Sequence, residues 1–418
     1  MRYFVESYGC TMNFGEGEQL SEKMERLGHV RVDSAEEADI VILNTCTVVE
    51  TTEKKMIHRM GELKKEGKEV IVTGCMAKVQ PKRISIRLPE SMIIPPDQYD
   101  LFTGKVESAF GCSVPVENTR TKASAILPIA QGCLGNCSYC ITRFARGPLR
   151  SYPEDELIDS FRSMLDSGAR EILVTAQDTA CYGRDTGTDL PSLLRKFLEF
   201  DGDYKIRIGM MNPNNLDPIL DDLMDVMEDE RVYRFLHIPV QSGSNSVLDD
   251  MRRHYTVDRF MGIVNRLRER YEDISIATDL ITGFPGETDR DHEKSVKLIR
   301  DLHADTVNIT RFSVRPGTDA ATMKNQIQGN VSKERSTELT EMKMAVEAAV
   351  NEKLIGKKYR VLVTEKGRPG TVIARNINYR PVGIEADLEI GTFVDVEITG
   401  SASTHLVGVL TDSQLLNN

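Results

Sequence analysis

The chain has 418 residues and a formal net charge of -11, from 53 basic and 64 acidic side chains, with eight cysteines. That length exceeds one ordinary domain and suits two or three, and the negative balance argues against broad non-specific nucleic-acid binding while leaving room for a local basic patch. No stretch approaches the roughly 18 apolar residues of a membrane helix and the N-terminus has no signal-peptide anatomy, so a cytoplasmic protein with no membrane partner is expected, whose clustered cysteines point to metal or redox chemistry rather than disulfides.

Residues 1–75 repeat one pattern three times: an apolar run, a glycine or small polar residue, then a cysteine. The runs are Arg2 to Cys10, Ala38 to Cys46 and Glu69 to Cys75, with helix-like segments at 14–27 and 51–66 between them. Strand, helix, strand at this spacing is the parallel crossover unit. Strand ends at the carboxyl edge of one sheet converge in space, so Cys10, Cys46 and Cys75 can form one ligand set for a cluster with one iron left open. The plainer alternative is three small buried hydrophobes. Residues 81–122 hold Pro81, Pro89, Pro95, Pro96 and Pro115 and read as a last strand or two plus a linker.

From 124 to 312 the alternation resumes with a longer period. Six strands are expected: Ser124–Ala130, Glu171–Ala176, Lys205–Gly209, Phe235–Val240, Ser275–Ile281 and Thr306–Phe312. Helices such as Pro153–Ser167 and Thr288–Leu302 separate them. The repeat predicts a partial barrel with function in the loops after its strands. After the first strand come Cys133, Cys137 and Cys140 at CxxxCxxC spacing. One loop can wrap these thiolates around three corners of a cubane, leaving the fourth iron open for chemistry. A structural zinc would want a fourth ligand close by, and none follows. Cys112 and Cys181 fit neither set and read as structural or incidental.

Other loops after strands carry polar groups and glycines suited to a ligand. Gln177, Gln241, Ser242 and Gly283 are the candidate cofactor contacts, although Gly283 and Gly286 serve equally well as turn formers. Arg143, Arg146 and Arg150 follow the cysteine loop and suit phosphate or a carboxylate, or simple surface pairing. A charged helix is expected over Ser332–Leu354, with Leu339, Met342, Val346 and Val350 as its apolar stripe. Beyond Gly356 five short strands, Tyr359–Glu365, Gly370–Ala374, Arg380–Glu385, Phe393–Thr399 and Leu406–Leu410, predict a small β-barrel. Its seven basic residues (Lys357, Lys358, Arg360, Lys366, Arg368, Arg375 and Arg380) balance seven acidic ones and are candidate phosphate contacts or ordinary surface charges.

Together these motifs resemble the methylthiotransferase family of radical S-adenosylmethionine (SAM) enzymes. Ser7–Asn13, Asn44–Cys46 and Thr73–Ala77 are similar to the family's N-terminal cluster-binding domain, and Gln131–Cys140 with Arg146–Gly147 to its radical SAM loop. His237–Ser244 and Gly283–Thr288 resemble its later barrel motifs, and the β-rich tail resembles the TRAM domain. The loop Thr175–Gly183 is most similar to the branch of archaea and eukaryotes that acts on threonylcarbamoyladenosine in tRNA.

The resemblance implies an α/β chain in three parts: residues 1–122 with an auxiliary [4Fe–4S] cluster on Cys10, Cys46 and Cys75; 123–355, a partial (β/α)6 radical SAM barrel whose Cys133, Cys137 and Cys140 hold the SAM-binding [4Fe–4S] cluster; and 356–418, an OB-like TRAM barrel. It implies transfer of a methylthio group to carbon 2 of N6-threonylcarbamoyladenosine beside the tRNA anticodon, with SAM as cofactor. The expected partners are the anticodon stem-loop of tRNA, a ferredoxin- or flavodoxin-like electron donor and a sulfur source, with a monomer as the default state. Three alternatives stand beside it: isopentenyladenosine in tRNA as substrate, a ribosomal-protein aspartate as substrate, or an iron–sulfur RNA-binding sensor with no catalysis.

Overall fold

The computed structural model describes residues 1–115 and 123–411. At the N-terminal end β1 (Arg2–Ser7), β2 (Val30–Arg31), β3 (Ile40–Thr45), β4 (Glu69–Gly74) and β5 (Met92–Ile93) form one parallel sheet in the order β2-β1-β3-β4-β5. This is a doubly wound order whose switch point, the place where such sheets bind ligands, falls between β1 and β3. The central strand β3, Ile-Val-Ile-Leu-Asn-Thr, is buried along its whole length, as a parallel strand covered on both faces must be. Val41 and Leu43 pack with Met56 and Met60 on one face, and Ile40 and Ile42 with Leu20 and Met24 on the other.

The stretch after the fourth strand departs from expectation. The expected closing strands shrink to the two residues of β5, and most of the rest is helical: Pro81–Arg87, Pro96–Leu101 and Phe102–Phe110. Pro81 and Pro96 open helical turns, where a missing N–H costs nothing. The expected boundary at residue 122 lies outside the described residues.

The middle of the chain supplies six parallel strands: Ser124–Pro128, Glu171–Thr175, Lys205–Ile208, Phe235–His237, Ser275–Thr282 and Thr306–Arg311. They form two three-stranded sheets. Backbone hydrogen bonds from Ile206 to Arg231 (2.7 Å) and from Tyr233 to Ile206 (2.9 Å) join the two, so the six make an arc in chain order. Ile172, Val174, Ile206, Ile208 and Leu236 belong to its fully buried core. The helix Gly329–Glu352 seals the arc's last strand, with Leu339 in the core and Met342 and Val346 packed against it.

The C-terminal strands Lys358–Lys366, Val372–Arg375, Pro381–Ile384, Phe393–Ser401 and Leu406–Leu410 close into a five-stranded barrel. It docks at the N-terminal ends of the arc strands. Lys357 pairs with Asp273 at 2.8 Å, Arg360 with Asp203 at 2.5 Å, and the buried Arg380 with Asp305. Tyr379, held at φ +59°, sits against Tyr233 and Phe235 at ring distances of 4.9 and 5.1 Å. Among the described residues no helix is long and apolar enough to cross a membrane.

Candidate functional site

The three N-terminal cysteines stand where the sheet order predicts. Cys10 follows β1 and is the N-cap residue of the helix Thr11–Arg26. Cys46 follows β3, four residues before the helix Glu50–Lys65, and Cys75 follows β4. Neither long helix has a side-chain cap, so their first backbone N–H groups stay available to negative charge at the triad. Gly9 has φ +104°, and a Cβ there would lie 2.6 Å from the Cys46 Cβ and 2.8 Å from its sulfur. The Cys10 and Cys46 loops can therefore approach only through a glycine. Cys46 and Cys75 are buried and Cys10 is exposed.

Cys133, Cys137 and Cys140 lie in one loop after the first arc strand, all partly exposed. The loop is pinned by its neighbours. Gly132 N–H donates to Gln177 Oε1 at 2.7 Å, Ser138 Oγ donates to the Asp250 carbonyl at 2.7 Å, and Ala320 N–H donates to the Ser138 carbonyl at 2.9 Å.

Each triad receives N–H donors on its sulfurs. Gly135 N–H reaches Cys133 Sγ at 3.2 Å and Arg253 Nη1 reaches Cys137 Sγ at 3.4 Å. Val48 N–H reaches Cys46 Sγ at 3.5 Å, and Arg146 Nε reaches Cys75 Sγ at 3.3 Å. Such donors stabilise thiolate charge and accompany iron–sulfur sites. Burial pushes the Cys75 thiol up to about 12, with Cys46 and Cys10 adding to the rise against Arg146. Burial likewise lifts Cys133 to about 11, with Asp178, Cys140 and Cys137 adding. The thiols of each set thus feel one another, and metal would have to displace their protons. Among the described residues no three His, Cys, Asp or Glu side chains gather around one point as a single ion requires. A cubane offers irons at separate corners and takes more widely spaced thiolates than zinc does, so three thiols with N–H donors on their sulfurs suit a cluster better than a single ion.

The two triads face one interface. Arg146, six residues beyond Cys140, is buried and spends its guanidinium inside the N-terminal sheet domain, on Glu16, Cys75 and Asn13. A second buried arginine, Arg315, enters from beyond the last arc strand and pairs with Glu53 at 2.9 Å. Around the triads Phe14, Val48, Val49, Leu134 and Phe144 stay exposed, each within four residues of a cysteine. A cavity of about 700 Å³ opens between the two domains on the Arg146 side, with Lys23, Arg26, Lys78 and Arg150 in its wall.

The other expected contacts distribute unevenly. Gln177 supports the cysteine loop. Gln241 is buried at φ +72°, and its strained backbone is held by bonds to Asp279 and Ile281. Ser242 Oγ accepts from Ser244 N–H at 3.1 Å. Gly283 has a packing role: a Cβ there would lie 2.5 Å from Ser332 Oγ, and its N–H binds Glu287. Cys181 is buried and donates to Asp178, while Cys112 is exposed. Arg143 pairs with Asn136, and Arg150 lies 3.8 Å from Asp100.

Sequence reasoning marked His237 as a strand-end residue, satisfied or orienting a ligand, but missed its partners. His237 Nε2 lies 2.8 Å from Asp279 Oδ1, and Asn308 donates to the same oxygen at 2.9 Å. Burial would raise the Asp279 carboxyl, yet hydrogen bonds from His237 and Asn308 hold it below its ordinary range. It also missed Arg253, whose reach to Cys137 spans 116 positions. Strand alternation could have flagged the first, since residues 279 and 308 share register in paired strands.

Comparison with known proteins defines the class. Residues 2–94 match an uncharacterized protein family, UPF0004, residues 127–299 the radical SAM superfamily, and residues 352–411 the TRAM domain. The solved radical SAM methyltransferase TsrM from Kitasatospora setae shares the fold, with a TM-score of 0.58 at 14% identity over 77% of this chain and 74% of that one. The chain is thus a radical SAM enzyme, a class defined by SAM and a [4Fe–4S] cluster. A probable threonylcarbamoyladenosine tRNA methylthiotransferase of Archaeoglobus fulgidus is 40% identical over 99% of this chain and all of its own length. The human threonylcarbamoyladenosine tRNA methylthiotransferase is 34% identical over 97% of this chain and 73% of its own. The chain belongs to the threonylcarbamoyladenosine tRNA methylthiotransferase family.

Proposed function

We propose that the protein puts a methylthio group on carbon 2 of N6-threonylcarbamoyladenosine beside the tRNA anticodon, using two [4Fe–4S] clusters. The observation that carries this reading is the pair of cysteine triads on one interface, bridged by Arg146. Cys133, Cys137 and Cys140 would hold the SAM cluster, and Cys10, Cys46 and Cys75 the auxiliary one. When bound, the first cluster and SAM supply one-electron C–S cleavage, the hard chemistry that belongs to the cofactor. The chain's part is binding and orientation. Gly135 N–H and Arg253 stabilise the thiolates of the first set, and Gln177 fixes the start of their loop. Gln241 and Ser242, just beyond the strand that ends at His237, would contact SAM. The exposed apolar side chains around both triads suit a substrate base splayed out of its stack. In the cavity wall Lys78 pairs with Asp97 and Arg150 lies near Asp100, so Lys23 and Arg26 are the side chains that would offer charge to its phosphates.

The C-terminal barrel takes a revised role among RNA contacts. Lys357, Arg360 and Arg380 are committed to docking, and Lys358, Lys366 and Arg375 pair within the barrel with Glu397, Asp387 and Glu365, so the RNA candidates that remain are Arg368 and the exposed Lys358 and Lys366. A ferredoxin- or flavodoxin-like donor, an external sulfur source and a monomeric state complete the proposal.

The test is anaerobic reconstitution, then reductant, SAM, sulfide and an anticodon stem-loop bearing threonylcarbamoyladenosine, read by nucleoside mass spectrometry. A methylthiolated nucleoside with roughly eight irons per chain is expected. SAM cleavage with product only on isopentenyladenosine RNA, or only on a ribosomal protein, would replace the substrate. Absence of cleavage would leave a binding module.

A further inference from the structure

Arg146 belongs by sequence to the loop of one cysteine set and by contact to the other. Its side chain is 1% exposed, and all three guanidinium nitrogens are engaged across the interface. Nε donates to Cys75 Sγ at 3.3 Å, Nη1 to Glu16, and Nη2 to Asn13 Oδ1 at 2.5 Å. Asn13 in turn donates to the Tyr8 carbonyl at 2.8 Å and the Thr45 carbonyl at 2.9 Å. Those carbonyls lie just before Cys10 and Cys46. One guanidinium therefore touches the third cysteine directly and braces the other two through a single amide.

A plain domain latch would not need a sulfur contact. The molecule has such a latch in Arg315, which pairs with Glu53 and Ser313 and reaches no cysteine. Arg146 differs in that its charge and one N–H point at a ligand atom. An N–H donor and a positive charge at a thiolate favour the reduced, more negative state of a cluster and so raise its potential. Glu16, on the far side of the guanidinium, acts in the opposite sense.

We propose that Arg146 is a positioning residue for the auxiliary cluster, setting that cluster's reduction potential from the loop that carries the SAM cluster. This rests on the auxiliary-cluster reading above. The two sites are then coupled without a shared ligand: when the SAM-cluster loop shifts, the donor on Cys75 shifts with it.

The experiment is a redox titration of the reconstituted full-length protein followed by electron paramagnetic resonance. Added SAM perturbs the signal of its own cluster and so distinguishes the two. Arg146→Met should move the auxiliary midpoint to more negative potential. Glu16→Gln should move it the other way, Arg146→Lys should fall between parent and Arg146→Met, and Arg315→Lys should leave it in place. An auxiliary signal at the parental midpoint in Arg146→Met, with iron retained, overturns the inference. If Arg146→Met fails to load iron, Glu16→Gln and Arg146→Lys decide: no shift, or a negative shift in Glu16→Gln, overturns it equally. A parent protein with only the SAM-responsive signal overturns the auxiliary-cluster reading itself, a result distinct from an unmoved midpoint.

Discussion

The two cysteine sets would reach similar chemistry by opposite routes. Cys133, Cys137 and Cys140 lie within eight residues, and one loop brings them together. Cys10, Cys46 and Cys75 span 66 residues, and only a parallel sheet in the order β2-β1-β3-β4-β5 makes them neighbours. The local set is tolerant of its surroundings, because its spacing travels with the loop. The dispersed set depends on every element that fixes the register of β1, β3 and β4, so insults to the fold should empty it first.

The largest effect should come from the ligands. Cys137→Ala should lower SAM cleavage at least a hundredfold, since loss of a ligand typically costs more than the 10- to 100-fold of a supporting contact. Cys46→Ala should spare cleavage and abolish methylthiolation. Both are read by assaying 5′-deoxyadenosine beside the modified nucleoside. Loss of cleavage in Cys46→Ala would erase the contrast.

Next in size is Gly9→Ala, which places a Cβ against Cys46 in a backbone at φ +104°. It should remove roughly half of the iron, the share of one of two cubanes, and an unchanged iron count would show that the dispersed set tolerates strain. Arg315→Leu removes one of two arginines from the buried Glu53, which keeps Arg83, Gln80 and Thr47, and should cost about 2 kcal/mol by urea denaturation, with N-terminal iron lost before the rest.

The smallest effect tests the arc side. Asp291 caps the helix Asp289–Leu302 in a capping box with Thr288. Although burial raises its carboxyl, bonds from Ser244, Thr288 and Lys294 hold it well below the ordinary 3.8. Because the folded-state value is depressed, its stabilisation is fully present above about pH 4 and is lost as the pH falls further. Asp291→Asn should cost about 1 kcal/mol at neutral pH, a gap that narrows in acid, and should leave N-terminal iron untouched.

Periodicity made much of the fold legible. The strand Leu406–Leu410 lies where alternation put it, and β1, β3 and β4 lie within the expected runs before their cysteines. The two-residue strand β2 was beyond reach, because two residues carry no period, and β5 was expected only as an unplaced strand beyond residue 81. The helix Phe102–Phe110 was obscured by the prolines preceding it. At the site the cysteines could be read as two sets, but their partners could not. Arg146 looked like a phosphate contact because a sequence shows charge and not the Glu16 that neutralises it across the interface. Lys357, Arg360 and Arg380 looked like an RNA surface for the same reason, with Asp273, Asp203 and Asp305 as their hidden counterparts.

The seat of Tyr379 has a practical consequence. Its ring stops the end of the arc opposite the cysteine loops, resting on Tyr233 and Phe235 under the Arg207 guanidinium. Cutting the chain after the helix Gly329–Glu352 would remove a candidate RNA module and also uncork the vessel, letting water in from below. Activity lost in such a truncation would speak of a leaking floor as much as of missing RNA contacts. Altering Lys366 and Arg368 at the surface, with Tyr379 left in its seat, separates the two.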